Sequence, residues 1–436
     1  MPVIPGSLAP LLSLLRSAFT APTFETFCAL VVGFVGRVGE HTVTGMWQAA
    51  RLAGVVHHSR AHDFFARARW SADEAGLLVL DFLVSVLVPH GPIRLALDDT
   101  LFARSGRKVF GALFHHDPHA EGGARIRFGN NWVVLGLLVG LPFMQRTVCL
   151  PLLFRLYRPG EERPSRPKLG RELLELVLCR FPGRAVELCA DAAYASKAFR
   201  GLPARASVCT RLRRDAALYL PTPERTGKPG RPRKKGERLP SLRELADDPG
   251  ASWRGAEVTR YGKTASVRVL TLDCLWYSVF ETQPARVLLL REPDRQDGFE
   301  LALLTTAVHQ EAQEIIARYA ERWAIEVAFQ DAKQVMGVGE ARNRTERAVL
   351  RTVPFGFLCQ TLAICWYALW GEADQDVARR RQLAPWYHQK RAPSFADMLT
   401  ALRREIIHKQ FHQGRPASPT RPQFTRPAHL PSNQAA

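Results

Sequence analysis

The sequence predicts an α/β protein: a core of mixed strands and helices, split by a β-rich stretch, preceded by a helical region and followed by a basic tail. Three observations carry that expectation. Apolar residues recur at helical spacing through residues 24–35 and again through 74–88. From Ile93 the pattern changes to short apolar and β-branched runs, two of which, 93–99 and 185–191, end in aspartates. The composition, 46% hydrophobic and 23% charged over 436 residues, suffices for more than one core and excludes global disorder.

Residues 1–90 form the helical region. Within it His57, His58, Arg60, His62, Arg67 and Arg69 crowd a short basic stretch interleaved with Phe64, Phe65 and Trp70. Such a stretch suits either a DNA-binding region or a solvated basic helix. Strands follow at 93–99, 132–139 and 147–157, the last two separated by Gly140 to Pro142, which suggests an antiparallel meander. A helix at 171–179 and a strand at 185–190 complete the order strand, strand, strand, helix, strand. That order opens an RNase H-like fold, whose first part is assigned to 91–205.

Residues 206–299 read as a β-rich insertion, with a Pro- and Arg-rich linker at 221–240 and strands at 257–261, 266–272 and 286–291. The core resumes over 300–372 with one long helix, about 309–335. Residues 352–370 carry no charge and formally reach the length of a membrane span. Pro354, Gly356, Gln360 and two threonines dilute the segment, and no second one exists, so a buried core helix is expected and not a membrane protein. Residues 373–436 supply a basic helix, 394–411, and a tail expected to be disordered.

Lys and Arg number 60 against 41 acids, a formal charge of +19. That excess calls for a polyanion, nucleic acid or, in competition, an anionic membrane surface. The eight cysteines form no C-x-x-C pair, which disfavours a disulfide scaffold or a cysteine zinc site and suits a reducing cytoplasm. The apolar run 8–15 has no preceding positive charge and ends at Arg16, unlike a signal peptide.

The long helix holds Tyr319, Arg322, Glu326 and Lys333. At about 100° per residue these four fall within a stripe of about 60°. Ile316, Trp323 and Val327 flank it on one side and Ile325 and Phe329 on the other, so polar groups occupy the middle of an apolar face. An intrahelical Arg322–Glu326 salt bridge on a solvated face is the plain alternative. A carboxylate there invites partners, and Asp98 or Asp99 at one strand end and Asp191 at another are the candidates. Three converging carboxylates would repel one another unless divalent cations, Mg²⁺ or Mn²⁺, neutralised them.

At this point the sequence resembles the DDE-type insertion-sequence transposases marked by a Y-R-E-K signature. "LALDDT" resembles their first acidic motif, "CADAAYA" the second, and "YAERWAIEVAFQDAK" the third, with a β-rich insertion before the third. The resemblance implies an RNase H-like catalytic core, two Mg²⁺ (or Mn²⁺) ions, and metal-dependent cleavage and joining of transposon ends into target DNA. It matches Asp98, Asp191 and Glu326 to the catalytic metal ligands, with Asp99 as the alternative first aspartate. Tyr319, Arg322 and Lys333 match positions that contact phosphate near the cleaved bond. It further implies double-stranded DNA as partner, a homodimer in the synaptic complex, and a bacterial cytoplasm with nucleoid association. An inactive transposase-derived DNA-binding protein and a nuclease without strand transfer are the rivals. "KPGRPRKK", with Arg231 and Arg233, resembles an AT-hook or else is a solvated basic linker. His115, His116, Asp117 and His119 lack zinc-site spacing and read as surface residues.

Overall fold

A computed structural model describes residues 2–117, 125–223, 233–260 and 263–411. The chain divides into two compact units: one from residues up to 90, 99–163 and from 325 on, the other from 91–98 and 164–324.

The first unit opens with helices α1 (Ala9–Ser13), α2 (Ala21–Gly36), α3 (Val43–Ala49), α4 (Ser59–Ala66) and α5 (Ala72–Leu87). Side-chain caps start two of them: Thr42 Oγ1 accepts from the Gly45 N–H at 3.1 Å and Ser71 Oγ from the Glu74 N–H. The interleaved aromatics of the basic stretch do not face outward. Phe64, Phe65 and Trp70 are buried and pack with Phe19, Phe27 and Phe355, because α4 is amphipathic and turns its rings into the core. Arg60 is spent locally, donating to Thr26, Pro22 and Glu25.

Strand β1 (Ile93–Ala103) runs through both units. Its later half belongs with β2 (Leu113–His116), β3 (Ile126–Val139) and β4 (Val148–Tyr157), in which β3 pairs antiparallel with both β2 and β4. Gly129 of β3 is required there, since a Cβ would lie 2.2 Å from the Phe102 carbonyl oxygen of β1.

Its earlier half opens the second unit, with helix α6 (Arg166–Arg180) and strands β5 (Val186–Ala190) and β6 (Ala206–Arg211). β1, β5 and β6 are parallel neighbours. The expected insertion contains α7 (Leu242–Asp247), β7 (Arg254–Arg260), β8 (Lys263–Cys274), α8 (Tyr277–Phe280) and β9 (Ala285–Arg291), followed by β10 (Leu301–Thr305). These strands do not stand apart from the core. β10 pairs antiparallel with β6, and β9, β8 and β7 follow in order, extending the unit's sheet. Helix α9 (Ala312–Glu321) closes over β5, β6 and β7, seating Ile315, Ile316 and Tyr319 among Cys189, Cys209, Leu288 and Leu303.

The first unit is completed by α10 (Ala324–Gln334), α11 (Glu346–Trp370), α12 (Ala373–Leu383) and α13 (Phe395–Phe411). α11 meets length and hydropathy limits for a membrane span, but 89% of that window is buried inside the protein, against α2, α4, α5, α13 and β4. Its polar groups are satisfied as a core demands: Gln360 donates to the Ala328 carbonyl and Thr361 to that of Pro151. The expected disordered tail lies outside the described residues.

Candidate active site

In the second unit, β1 and β5 run side by side with Leu97 opposite Ala190. Asp98 follows Leu97 within β1 and Asp191 follows Ala190 at the end of β5, so the two stand together where the pairing of these parallel strands ends. That is where sheets of this kind receive ligands. Asp191 is still extended (φ −72°, ψ 168°), and the short turn beginning at Ala192 starts from its carbonyl, which accepts the Tyr194 N–H. Register partners in parallel strands project to one face, and side chains alternate along a strand. Asp98 and Asp191 therefore share a face, and Asp99 takes the other, where it accepts from Asn131 Nδ2 at 2.9 Å.

The face bearing Asp98 is the one covered by α9. Arg322, at the C-terminus of that helix and 8% exposed, donates from Nη1 to Asp98 Oδ2 at 2.7 Å. Its guanidinium lies 5.6 Å from the centre of the Tyr319 ring. Burial, aided by the Asp191 charge, pushes the Tyr319 hydroxyl up to about 12, against the opposing pull of Arg322. At neutral pH the phenol is therefore a proton donor and carries no charge.

The single helix expected over 309–335 is two helices. At the junction the Arg322 N–H bonds to the Tyr319 carbonyl and the Trp323 N–H to that of Ala320, a tightening to i, i−3 that ends α9. The four-residue stripe is thus broken in two: Tyr319 and Arg322 end α9, while Glu326 and Lys333 lie about two turns apart on α10. Trp323, expected against an apolar face, is 48% exposed. Glu326 and Lys333 belong to the first unit, where the Lys333 ammonium stands 5.4 Å from the centre of the Phe102 ring. Burial lowers the affinity of this ammonium for its proton, with Asp117 opposing and Arg127 assisting.

Sequence reading overlooked what fixes α9. Arg318 is 4% exposed and meets Glu187 of β5 at 3.0 Å, and the same carboxylate accepts from Gln310 and faces Arg94 at 3.4 Å. A lone glutamate inside the apolar run V-E-L-C-A was the signal available.

Among the described residues no three His, Cys, Asp or Glu side chains converge tightly enough to hold an ion. Asp98 and Asp191 nevertheless offer hard oxygen donors, and Asp98 already holds a cation, the Arg322 guanidinium. His115 is buried in β2 and His116 exposed, while His119 lies outside the described residues. Arg233 is exposed, and Arg231 lies outside the described residues.

The family profile described as DDE superfamily endonuclease matches residues 14–270, more than half of the chain and including both aspartate strands. The chain belongs to the DDE superfamily endonucleases. Its mixed α/β architecture, with β1, β5 and β6 as parallel neighbours, agrees with that membership. No curated protein matches this chain in sequence. Among solved structures, a piggyBac transposase synaptic complex with hairpin DNA, determined by cryo-electron microscopy, is similar at 9% identity and a TM-score of 0.42. That similarity covers 94% of this chain and 78% of the other.

Proposed function

We propose that this DDE endonuclease is a DNA transposase that cleaves the ends of an insertion sequence and joins them to target DNA. The observation that carries the reading is the β1–β5 register. It sets Asp98 beside Asp191, with Arg322 against Asp98 and the Tyr319 phenol close enough to sense Asp191.

The Asp98–Asp191 pair suits Mg²⁺ or Mn²⁺, which carboxylate oxygens prefer, and would hold such an ion; the resemblance to the DDE transposases adds Glu326 as a further ligand and a second ion. When bound, ions of this kind offset charge on a phosphoryl group and lower the pKa of bound water. The remaining work belongs to the chain's own side chains. Arg322 is a pre-aligned cation whose planar fork can pass from the Asp98 carboxylate to a phosphate oxygen as DNA arrives. Tyr319, kept neutral, donates a hydrogen bond to a phosphate oxygen without adding repulsion. Lys333 is the further phosphate-contacting cation that the resemblance implies. Asp99, which accepts from Asn131 on the opposite face, is the alternative first ligand, and Asp98 is preferred to it. The DNA is double-stranded, a homodimer joins two ends in synapsis, and the work is done in the cytoplasm at the nucleoid.

The test uses DNA carrying the inverted repeats that flank the coding frame, with Mg²⁺. Asp191→Asn and Glu326→Gln are expected to bind this DNA like the native chain and to abolish cleavage, and Asp98→Asn to be far more damaging than Asp99→Asn. Cleavage by Asp191→Asn at the native rate would sink the assignment. Cleavage without joining by the native chain would leave a nuclease.

A further inference from the structure

We propose that the turn following α12 is a docking surface for single-stranded DNA, in which Trp386 and Tyr387 stack on unpaired bases and the surrounding cations hold the backbone. Between Arg379 and Arg391 the chain carries five Lys or Arg and no Asp or Glu. In the middle of this stretch a 3₁₀ turn, Pro385–Tyr387, displays Trp386 at 73% and Tyr387 at 48% exposure, their ring centres 6.2 Å apart. Leu383 beside them is 73% exposed.

The turn is held firmly from beneath. Asp376, 7% exposed, accepts from the Tyr367 hydroxyl, Arg379 and Arg404. Asp397, equally buried, accepts from the Ser394 N–H and hydroxyl and faces Lys390 at 2.9 Å and Arg380 at 3.3 Å. Burial would raise the Asp397 carboxyl, but the Ser394 hydrogen bonds and Lys390 outweigh it and hold the group below the usual carboxylate range. Both carboxylates thus anchor the segment, and Asp397 remains ionised. They answer only part of its charge, since Arg379, Arg380, Lys390 and Arg404 share them while Arg391 stays exposed at the rim.

Charge decides what covers such a surface. The chain beyond Phe411 contains three arginines and no acidic residue, so it would bring like charge to the patch. A second copy meeting the patch face to face would do the same. A polyanion is complementary, and exposed aromatic rings on a basic rim match unpaired bases, which offer a π-face that a duplex hides. This surface stands independently of the catalytic assignment; only the choice of DNA over RNA rests on the function proposed above.

The experiment measures binding of the full chain to a labelled oligothymidylate of about 12 nucleotides, a length within the usual site size, and to a blunt duplex and an oligouridylate at matched salt. Trp386→Ala is expected to weaken oligothymidylate binding roughly tenfold or more, Trp386→Phe to keep most of it, and duplex binding to stay unchanged. Arg391→Ala should flatten the salt dependence, whereas Trp386→Ala should not. Unchanged oligothymidylate affinity in Trp386→Ala would overturn the proposal and leave the patch to the C-terminal tail. Equal losses on single strand and duplex would overturn it too, as would a loss confined to the oligouridylate. A Trp386→Ala chain that sediments as a smaller species, with unchanged DNA binding, would reassign the surface to self-association.

Discussion

Asp98 and Asp99 show how a one-residue difference selects partners. The sequence offered both, and strand alternation with the Leu97–Ala190 register separates them, giving one to Arg322 and the other to Asn131. Other single residues carry constraints that measurement can expose. Gly337 follows α10 at φ +69°, and a Cβ there would lie 2.1 Å from His41 Nδ1. His41 is itself fixed by Glu340, which accepts from its backbone N–H and lies 3.1 Å from Nδ1. Gly337→Ala is expected to cost at least about 1–2 kcal/mol from the left-handed backbone alone, visible as a lower Tm. Asp331 behaves in the opposite sense. Burial pushes its carboxyl up to about 6, with Arg146 opposing. Between the ordinary carboxylate value of about 3.9 and that raised value, the folded chain keeps a proton that the unfolded chain has released. Its stability therefore falls as pH rises through this window. Asp331→Asn should be more stable than the native chain at pH 7, on the order of 3 kcal/mol, with the difference vanishing below about pH 4. A gap that persists at low pH would place its origin elsewhere.

At the scale of elements, the first strands and helices were legible because their periodicity is strong: β1, β3, β4, α6 and β5 all occur where apolar runs and turn residues put them. The break between α9 and α10 was not legible, since R-W-A-I contains no Gly or Pro and every residue there tolerates a helix. Nor was the fate of Phe64, Phe65 and Trp70, which share a basic stretch yet turn into the core; composition gives no direction, and only α4's packing does. In the candidate site the chemical types were readable and their partners were not, as Arg318 and Glu187 illustrate. That pair fastens α9 to β5 and so sets where Arg322 stands. Glu187→Ala leaves the Arg318 charge buried without its main partner and is expected to destabilise by about 3–5 kcal/mol. A double-mutant cycle with Arg318→Met should recover part of the loss. Strict additivity would show that the two side chains do not act on each other.

For the whole molecule the surplus of nineteen positive charges sets the response to ionic strength. If about 6–10 phosphates are contacted, affinity for DNA should fall about 10³–10⁵-fold between about 50 and 200 mM salt. A filter-binding series over that range checks it, and a flat curve would remove electrostatics as the basis of binding. Chain order has a different consequence, which concerns biosynthesis. The apolar faces of α2, α4, α5 and β4 are covered by α11. Roughly 300 residues separate the end of α2 from the start of α11, so at about 5–20 residues per second the ribosome needs on the order of 15–60 s to deliver the cover. Throughout that interval the nascent chain presents its greasiest surfaces at the tunnel exit, a natural client for holdase chaperones. Polypeptides released by premature termination before Glu346 should aggregate, while those that reach Trp370 have the means to bury what came first.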